Sequence, residues 1–192
     1  HPLTVWLEEG VLTEEFFELY TYSFCRNLLD SGWAQPSDSM LLGWDTRDTD
    51  GIYNAAAVSG VRKAGLTAVV LGIMPTPAVA LYQLSRGASG AFVLTASHNP
   101  ADQNGIKIFL GRTGFKLFPE DDRRLTSTCF TVDQAALKQA SLQGSELHEE
   151  ESAIKFFRDL MLDPLNSWLG KEILDEVTLL IDAANGAFIP LL

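Results

Sequence analysis

The sequence predicts an α/β fold, a mixed but mostly parallel sheet with helices on both faces, and three observations predict it. Short apolar runs alternate with segments of helical period in the order strand, helix, strand, helix, strand. The runs are apolar at consecutive positions, as in strands covered on both faces. Past residue 104, Gly105 to Leu110 and Gly114 to Phe118 are joined by Gly111-Arg112-Thr113, which suits a hairpin or a strand with an irregular extension better than another crossover helix, so the sheet is expected to be mixed. The 192 residues, 46% hydrophobic and 20% charged, suffice for one domain and the beginning of a second.

Thr13 is a good N-cap, with Glu14 and Glu15 in the first turn, and Phe17, Tyr20, Phe24 and Leu28 recur at helical spacing until Gly32. Met40 to Trp44 is a buried strand, ended by the dense turn Asp45 to Gly51. A helix from Ile52 to Lys63 stops at Gly65. The strand Thr67 to Leu71 follows, then the loop Gly72 to Pro77, a helix to Arg86 and the strand Gly90 to Thr95. Pro119 opens a helix with Glu120, Asp121 and Asp122 at its positive end. Residues 131–152 are polar and acidic without a strong apolar stripe and are expected to form a helical or irregular connector at the surface. Ile154, Phe157, Leu160 and Met161 line one face of a helix that Pro164 ends. Val177 to Asp182 is expected to be a buried strand. The expected organisation is a first domain over 1–150, a helical connector over 151–176, and from 177 the start of a second, similar domain that the chain's end cuts short.

Fourteen basic and 25 acidic residues leave a net charge of -11, which argues against nucleic acid and anionic membranes as partners. Between Arg86 and Arg124, however, the net charge is +2, so the remainder carries -13. Cys25 and Cys129 are too far apart in sequence to suggest a zinc site or a disulfide framework. The first residues show no basic region followed by an apolar run and no stretch approaches a membrane span, features from which a cytoplasmic protein is expected.

In open α/β sheets ligands bind at the carboxyl ends of strands. Thr95-Ala96-Ser97-His98-Asn99-Pro100 places two hydroxyls, an imidazole and an amide at such an end, inside the basic stretch and close to Lys107. Neither a nucleophile elbow, a P-loop nor a dinucleotide-binding glycine pattern is present. A serine among backbone amides, with a lysine and a histidine to balance charge, can hold or receive a phosphoryl group. A polar turn with Asn99 capping a helix from Pro100 accounts for the same residues.

Thr95 to Pro100, followed by Asn104-Gly105-Ile106-Lys107, resembles the active-site segment of the α-D-phosphohexomutases, the phosphoglucomutase/phosphomannomutase family. Gly43-Trp44-Asp45-Thr46-Arg47 resembles the family's G-x-D-T-R turn, Gly72 to Pro77 its G-x-x-P-T-P loop, and Val177 to Ala187 the strand and D-x-x-N-G-x segment that opens its second domain. Four motifs in the family's order are far more specific than one. The resemblance implies a phosphohexomutase that moves phosphate between C1 and C6 of a glucose or mannose phosphate, through a phosphoserine at Ser97 and a hexose bisphosphate that also serves as activator. It implies Lys107 and His98 as catalytic partners of Ser97, and Thr95, Asn99, Asn104, Asp45 and Arg47 as residues that position loop or substrate. It implies a magnesium ion bound to Ser97 through its phosphate, the other ligands belonging, with the sugar and phosphate loops, to the family's domains II–IV. A fragment lacking those loops is expected to be inactive alone.

The departures are as informative. The family's arginine-containing first strand is not recognisable ahead of Val5, Trp44 stands where arginine is common, and Thr95 in place of serine points away from the phosphoglucosamine branch. A non-catalytic phosphosugar-binding protein on the same scaffold is the alternative reading, and an aspartate-phosphorylated response-regulator-like domain is a more distant one that leaves the Thr95–Pro100 loop unexplained.

Overall fold

The computed structural model describes residues 1–166, 176–178 and 180–191. Five strands, β1 (Ser39–Trp44), β2 (Thr67–Ile73), β3 (Gly90–Leu94), β4 (Ile106–Leu110) and β5 (Glu146–His148), form one sheet in the order β4-β3-β1-β2-β5. β1 is parallel to β2 and β3, and β2 to β5, whereas β4 runs antiparallel to β3 in the register Val93↔Lys107. The expected mixed, mostly parallel sheet is therefore present. Of the second run past residue 105, only one antiparallel bridge forms, Phe109↔Lys116.

Helices α1 (Pro2–Glu9), α2 (Glu14–Asp30), α3 (Ile52–Lys63), α4 (Thr76–Arg86), α5 (Pro119–Thr131), α6 (Gln134–Gln139) and α7 (Glu150–Leu162) cover both faces. Side chains alternate along each strand, so Met40, Leu42, Phe92 and Leu94 pack with Phe17 and Phe24 of α2, Val61 of α3 and Leu125 of α5. Leu41, Val69, Leu71 and Val93 pack on the other face with Val79 of α4 and Phe157 of α7. Two glycines permit this layering. A Cβ at Gly60 would stand 2.2 Å from Thr21 Oγ1 and 2.3 Å from the Glu18 carbonyl, so only glycine lets α2 and α3 approach here. A Cβ at Gly43 would stand 2.6 Å from Val79 Cγ2, which is how α4 comes to lie tight on β1.

Two expectations need revision. Within residues 131–152, α6 is the helical part of the expected connector, but the edge strand β5 is not foreseen from the sequence, because its three residues are all exposed and carry no apolar alternation for a sequence reading to detect. The helix expected through Ile154, Phe157, Leu160 and Met161 is α7, which buries Ala153 and Phe157 completely or nearly so in the second core layer. Val177 to Asp182 has no strand pairing among the described residues, residue 179 lying outside them, and Val177, Leu180 and Ile181 are 51%, 97% and 64% exposed. The apolar run is strand-like in composition, but among the described residues neither edge strand, β4 or β5, pairs with it, and without such a partner its backbone forms no ladder.

Candidate phosphoryl-transfer site

Three loops leave the carboxyl ends of β1, β2 and β3 and line one cleft of about 560 Å³. The antiparallel direction of β4 places its amino end, and Lys107, at that same edge. A fully parallel sheet would have put this lysine at the far end.

The β1 turn organises the cleft. Asp45 is anchored to β3 by its N–H, which donates to the Leu94 carbonyl (3.1 Å). Both Asp45 carboxylate oxygens accept from Arg47 Nε (3.0 and 2.9 Å), and Oδ2 also accepts from the Thr95 hydroxyl. The Thr95 hydroxyl oxygen accepts the N–H of Ser97 (2.8 Å). Beyond its pairing with Asp45, Arg47 donates through Nη2 to the Ser97 carbonyl (2.8 Å) and through Nη1 to the carbonyls of Pro100 (3.1 Å) and Gln103. One guanidinium thus spans the loop that carries the serine, a planar set of donors that lysine cannot reproduce.

Held in this way, Ser97 has φ 58°, in the left-handed region where non-glycine residues are uncommon. The strain is local and is sustained by the Thr95–Asp45–Arg47 network, a pattern found where a side chain must be presented. Ser97 is exposed at the cleft mouth, at the end of a strand that is otherwise buried. The loop from Asn99 to Gln103 is a turn, closed by Asn99 N–H on the Ala96 carbonyl (3.2 Å) and by Asn99 Nδ2 on Gln103 Oε1 (3.0 Å). No helix begins at Pro100.

Lys107 is half-buried, with Nζ 3.5 Å from the Thr76 hydroxyl at the start of α4. Burial, then the nearby positive charges of Lys116 and Arg47, push its ammonium below the ordinary lysine range, against the opposing pull of Asp45.

Of the residues singled out from sequence, Ser97, Thr95, Asn99, Asp45, Arg47 and Lys107 all line this cleft. His98 and Asn104 do not. The His98 ring is exposed and has no hydrogen-bond partner among the described residues, and Asn104 turns its Oδ1 onto the N–H of Gly105 (2.8 Å), shaping the entry to β4. The basic stretch also disperses. Arg86 pairs with Glu149 (2.6 Å), Arg112 lies over the Trp33 ring (5.4 Å) and Arg124 lines a separate groove, so only Lys107 of that stretch lines the cleft. Thr46, Thr76 and the turn Ala184–Phe188 line it as well, although the sequence marked them only as parts of motifs.

Comparison with known proteins agrees with this geometry. Residues 6–136 match the family described as phosphoglucomutase/phosphomannomutase, alpha/beta/alpha domain I. The chain is 32% identical over 151 residues to a phosphoglucosamine mutase of Wolinella succinogenes, covering 79% of this chain and 33% of that protein. It is 42% identical over 92 residues to a phosphomannomutase of Sinorhizobium fredii, covering 48% of this chain and 19% of that protein. Among solved structures it resembles a putative phosphomannomutase from Thermus thermophilus with a TM-score of 0.57 and 26% identity, over 79% of this chain and 33% of that one. The chain thus spans a third or less of the length of these relatives. Motif order, sheet topology and the family match over residues 6–136 coincide, and the chain belongs to the phosphoglucomutase/phosphomannomutase family, whose α/β/α domain I it carries.

Proposed function

We propose that this chain is the phosphoserine-bearing part of a hexose-phosphate mutase, with Ser97 as the residue that carries the phosphoryl group. The observation that supports this best is the Asp45–Arg47–Thr95 network, which spends three side chains on holding an exposed serine at φ 58°. In the proposed cycle Ser97 Oγ transfers its phosphoryl group to a free hydroxyl of a hexose phosphate. The hexose bisphosphate so formed reorients and returns its other phosphate to Ser97, so that phosphate moves between C1 and C6. Lys107 is the cation that faces these oxygens. A phosphate in the cleft favours its ammonium; when the phosphate departs, burial and the neighbouring cations favour release of a proton, which ties protonation of Lys107 to the state of Ser97. Of eight similar curated relatives seven are named phosphoglucosamine mutase and one phosphomannomutase, so the expectation that Thr95 points away from the phosphoglucosamine branch finds no support in them.

The family resemblance implies a magnesium ion bound through the phosphate on Ser97, with its other ligands outside this chain. Among the described residues no group of three or more His, Cys, Asp or Glu side chains could hold a metal, and the cleft's carboxylate, Asp45, is already engaged by Arg47 and Thr95. No step is assigned to the ion here.

The test is direct. After incubation with a labelled hexose 1,6-bisphosphate, mass spectrometry of the chain should find phosphate on Ser97 and none on a Ser97→Ala variant. Label retained in the alanine variant, or none in either protein, would sink the proposal.

A further inference from the structure

The segment that follows Val177 sits against the cleft. Ala184 to Phe188 form a wall of the cleft that Ser97 also lines, together with Thr46, and Thr46 Oγ1 donates to the Asn185 carbonyl (2.9 Å). Thr46 lies between Asp45 and Arg47, so one three-residue turn holds the serine loop with two of its side chains and this wall with the third. The wall is shaped internally. The Asp182 carboxylate accepts the N–H of Ala184 (2.7 Å), and the Ala183 and Gly186 carbonyls accept the N–H groups of Gly186 (2.8 Å) and Ile189 (3.2 Å). Beyond it, Leu191 packs against the second core layer. Ala184 and Asn185 have φ 49° and 55°, so three of the four non-glycine residues with positive φ among the described residues line this one cleft.

The chemistry offered by the wall differs from that of the serine side. Phe188 is 49% exposed although it lines a cleft, and the Asn185 amide has no side-chain hydrogen-bond partner among the described residues. An aromatic face left open beside an amide suits a ring with one apolar CH side and several hydroxyls, which is a hexose, better than it suits a bare phosphate.

We infer that Asn185 and Phe188, tethered by Thr46, form a sugar-contacting wall of the cleft that Ser97 lines, so that the turn after Asp182 binds the hexose ring while the serine loop handles the phosphate. The inference rests on the proposed role of Ser97 for the identity of the ligand, but it can fail separately. The measurement is the Kd of glucose 6-phosphate for the chain by titration calorimetry, in a Ser97→Ala background that blocks transfer. Binding in the millimolar range is expected for so open a cleft. Phe188→Ala and Asn185→Ala should each raise Kd about fivefold, Phe188→Tyr should restore it, and inorganic phosphate should bind equally to all of them. Thr46→Val should raise Kd similarly and speed hydrogen exchange at the Ala184, Gly186 and Ile189 amides about fivefold, the loss of one hydrogen bond, with Thr46→Ser reversing both. Absence of binding to the Ser97→Ala chain, or Kd values unmoved by Phe188→Ala and Asn185→Ala, would overturn the wall. Unchanged exchange in Thr46→Val would overturn the tether. A Ser97 that takes no label from bisphosphate, with these shifts intact, would instead condemn the phosphoserine reading and leave the sugar wall standing.

Discussion

Arg47 does the most structural work of any single residue at the cleft. Its guanidinium meets the Asp45 carboxylate and three backbone carbonyls, with its side chain 9% exposed. Arg47→Lys keeps the charge but loses the fork, and should lower stability by about 2 kcal/mol, or about 6 °C in Tm, together with slower labelling of Ser97. Equal melting temperatures for the two proteins would show that the network holds nothing. Lys107 makes a second prediction. Burial and its cationic neighbours lower its proton affinity in the folded chain, so between its folded and ordinary values the unfolded chain binds more protons and stability rises with pH. Competitive acylation followed against pH should show Lys107 reacting with a lower midpoint than the lysine of a short model peptide, and coincident midpoints would contradict the assignment. Both residues could be read from the G-x-D-T-R turn and the N-G-x-K run. The sequence offered less about Thr46 and Phe188, because a hydroxyl and an exposed aromatic reveal their purpose only through what they face.

At the scale of elements, the corner between β5 and α7 shows how a weak edge is secured. β5 has three exposed residues, yet Glu149, which follows it, donates its N–H to the Val70 carbonyl (2.9 Å) and receives Arg86 and the Tyr82 hydroxyl (2.8 Å) on its carboxylate. The Arg86 hydrogen bonds hold the Glu149 carboxyl below its usual range against the cost of burial, and Tyr82 adds to this. A depressed carboxyl contributes stability above its unfolded value, lost as pH falls through the folded one. Glu149→Gln should therefore melt lower than the parent at neutral pH, by about 1 kcal/mol, with the difference closing in acid. A gap that persists unchanged at low pH would mean that charge is not the cause. The long elements were legible because each buries a full apolar face: α2, α3 and β1 to β3 lie where periodicity puts them. β5 escaped because it is held by backbone pairing and by Glu149, and neither leaves a hydrophobic pattern.

For the whole molecule, the matched relatives extend well beyond the chain, whose matching stretches cover 33% and 19% of their lengths. The cleft around Ser97 is open, so the described residues do not enclose a hexose bisphosphate while it reorients between two transfers. The 192 residues should therefore accept phosphate on Ser97 without completing a mutase cycle, as measured by conversion of glucose 1-phosphate to glucose 6-phosphate. Sustained turnover by the chain alone would refute this. Among the described residues no helix is long and apolar enough to cross a membrane, and the net charge of -11 is compatible with an anionic ligand because the cleft's own cations, Arg47 and Lys107, are local.

The sequence by itself determined the α/β class, the order of its long elements and the motifs that carry the serine, since periodicity and turn chemistry are local properties written into consecutive residues. Only the tertiary structure decided which charges meet. The antiparallel run of β4 brought Lys107 to the serine, while packing sent Arg86 and Arg112 to other partners. It also decided that the turn from Ala184 to Phe188 lines the cleft, and that the apolar run before it stays exposed. A strand exists only where another strand accepts its hydrogen bonds, and a binding wall only where distant residues are folded to face one another; neither condition can be read from neighbours in sequence.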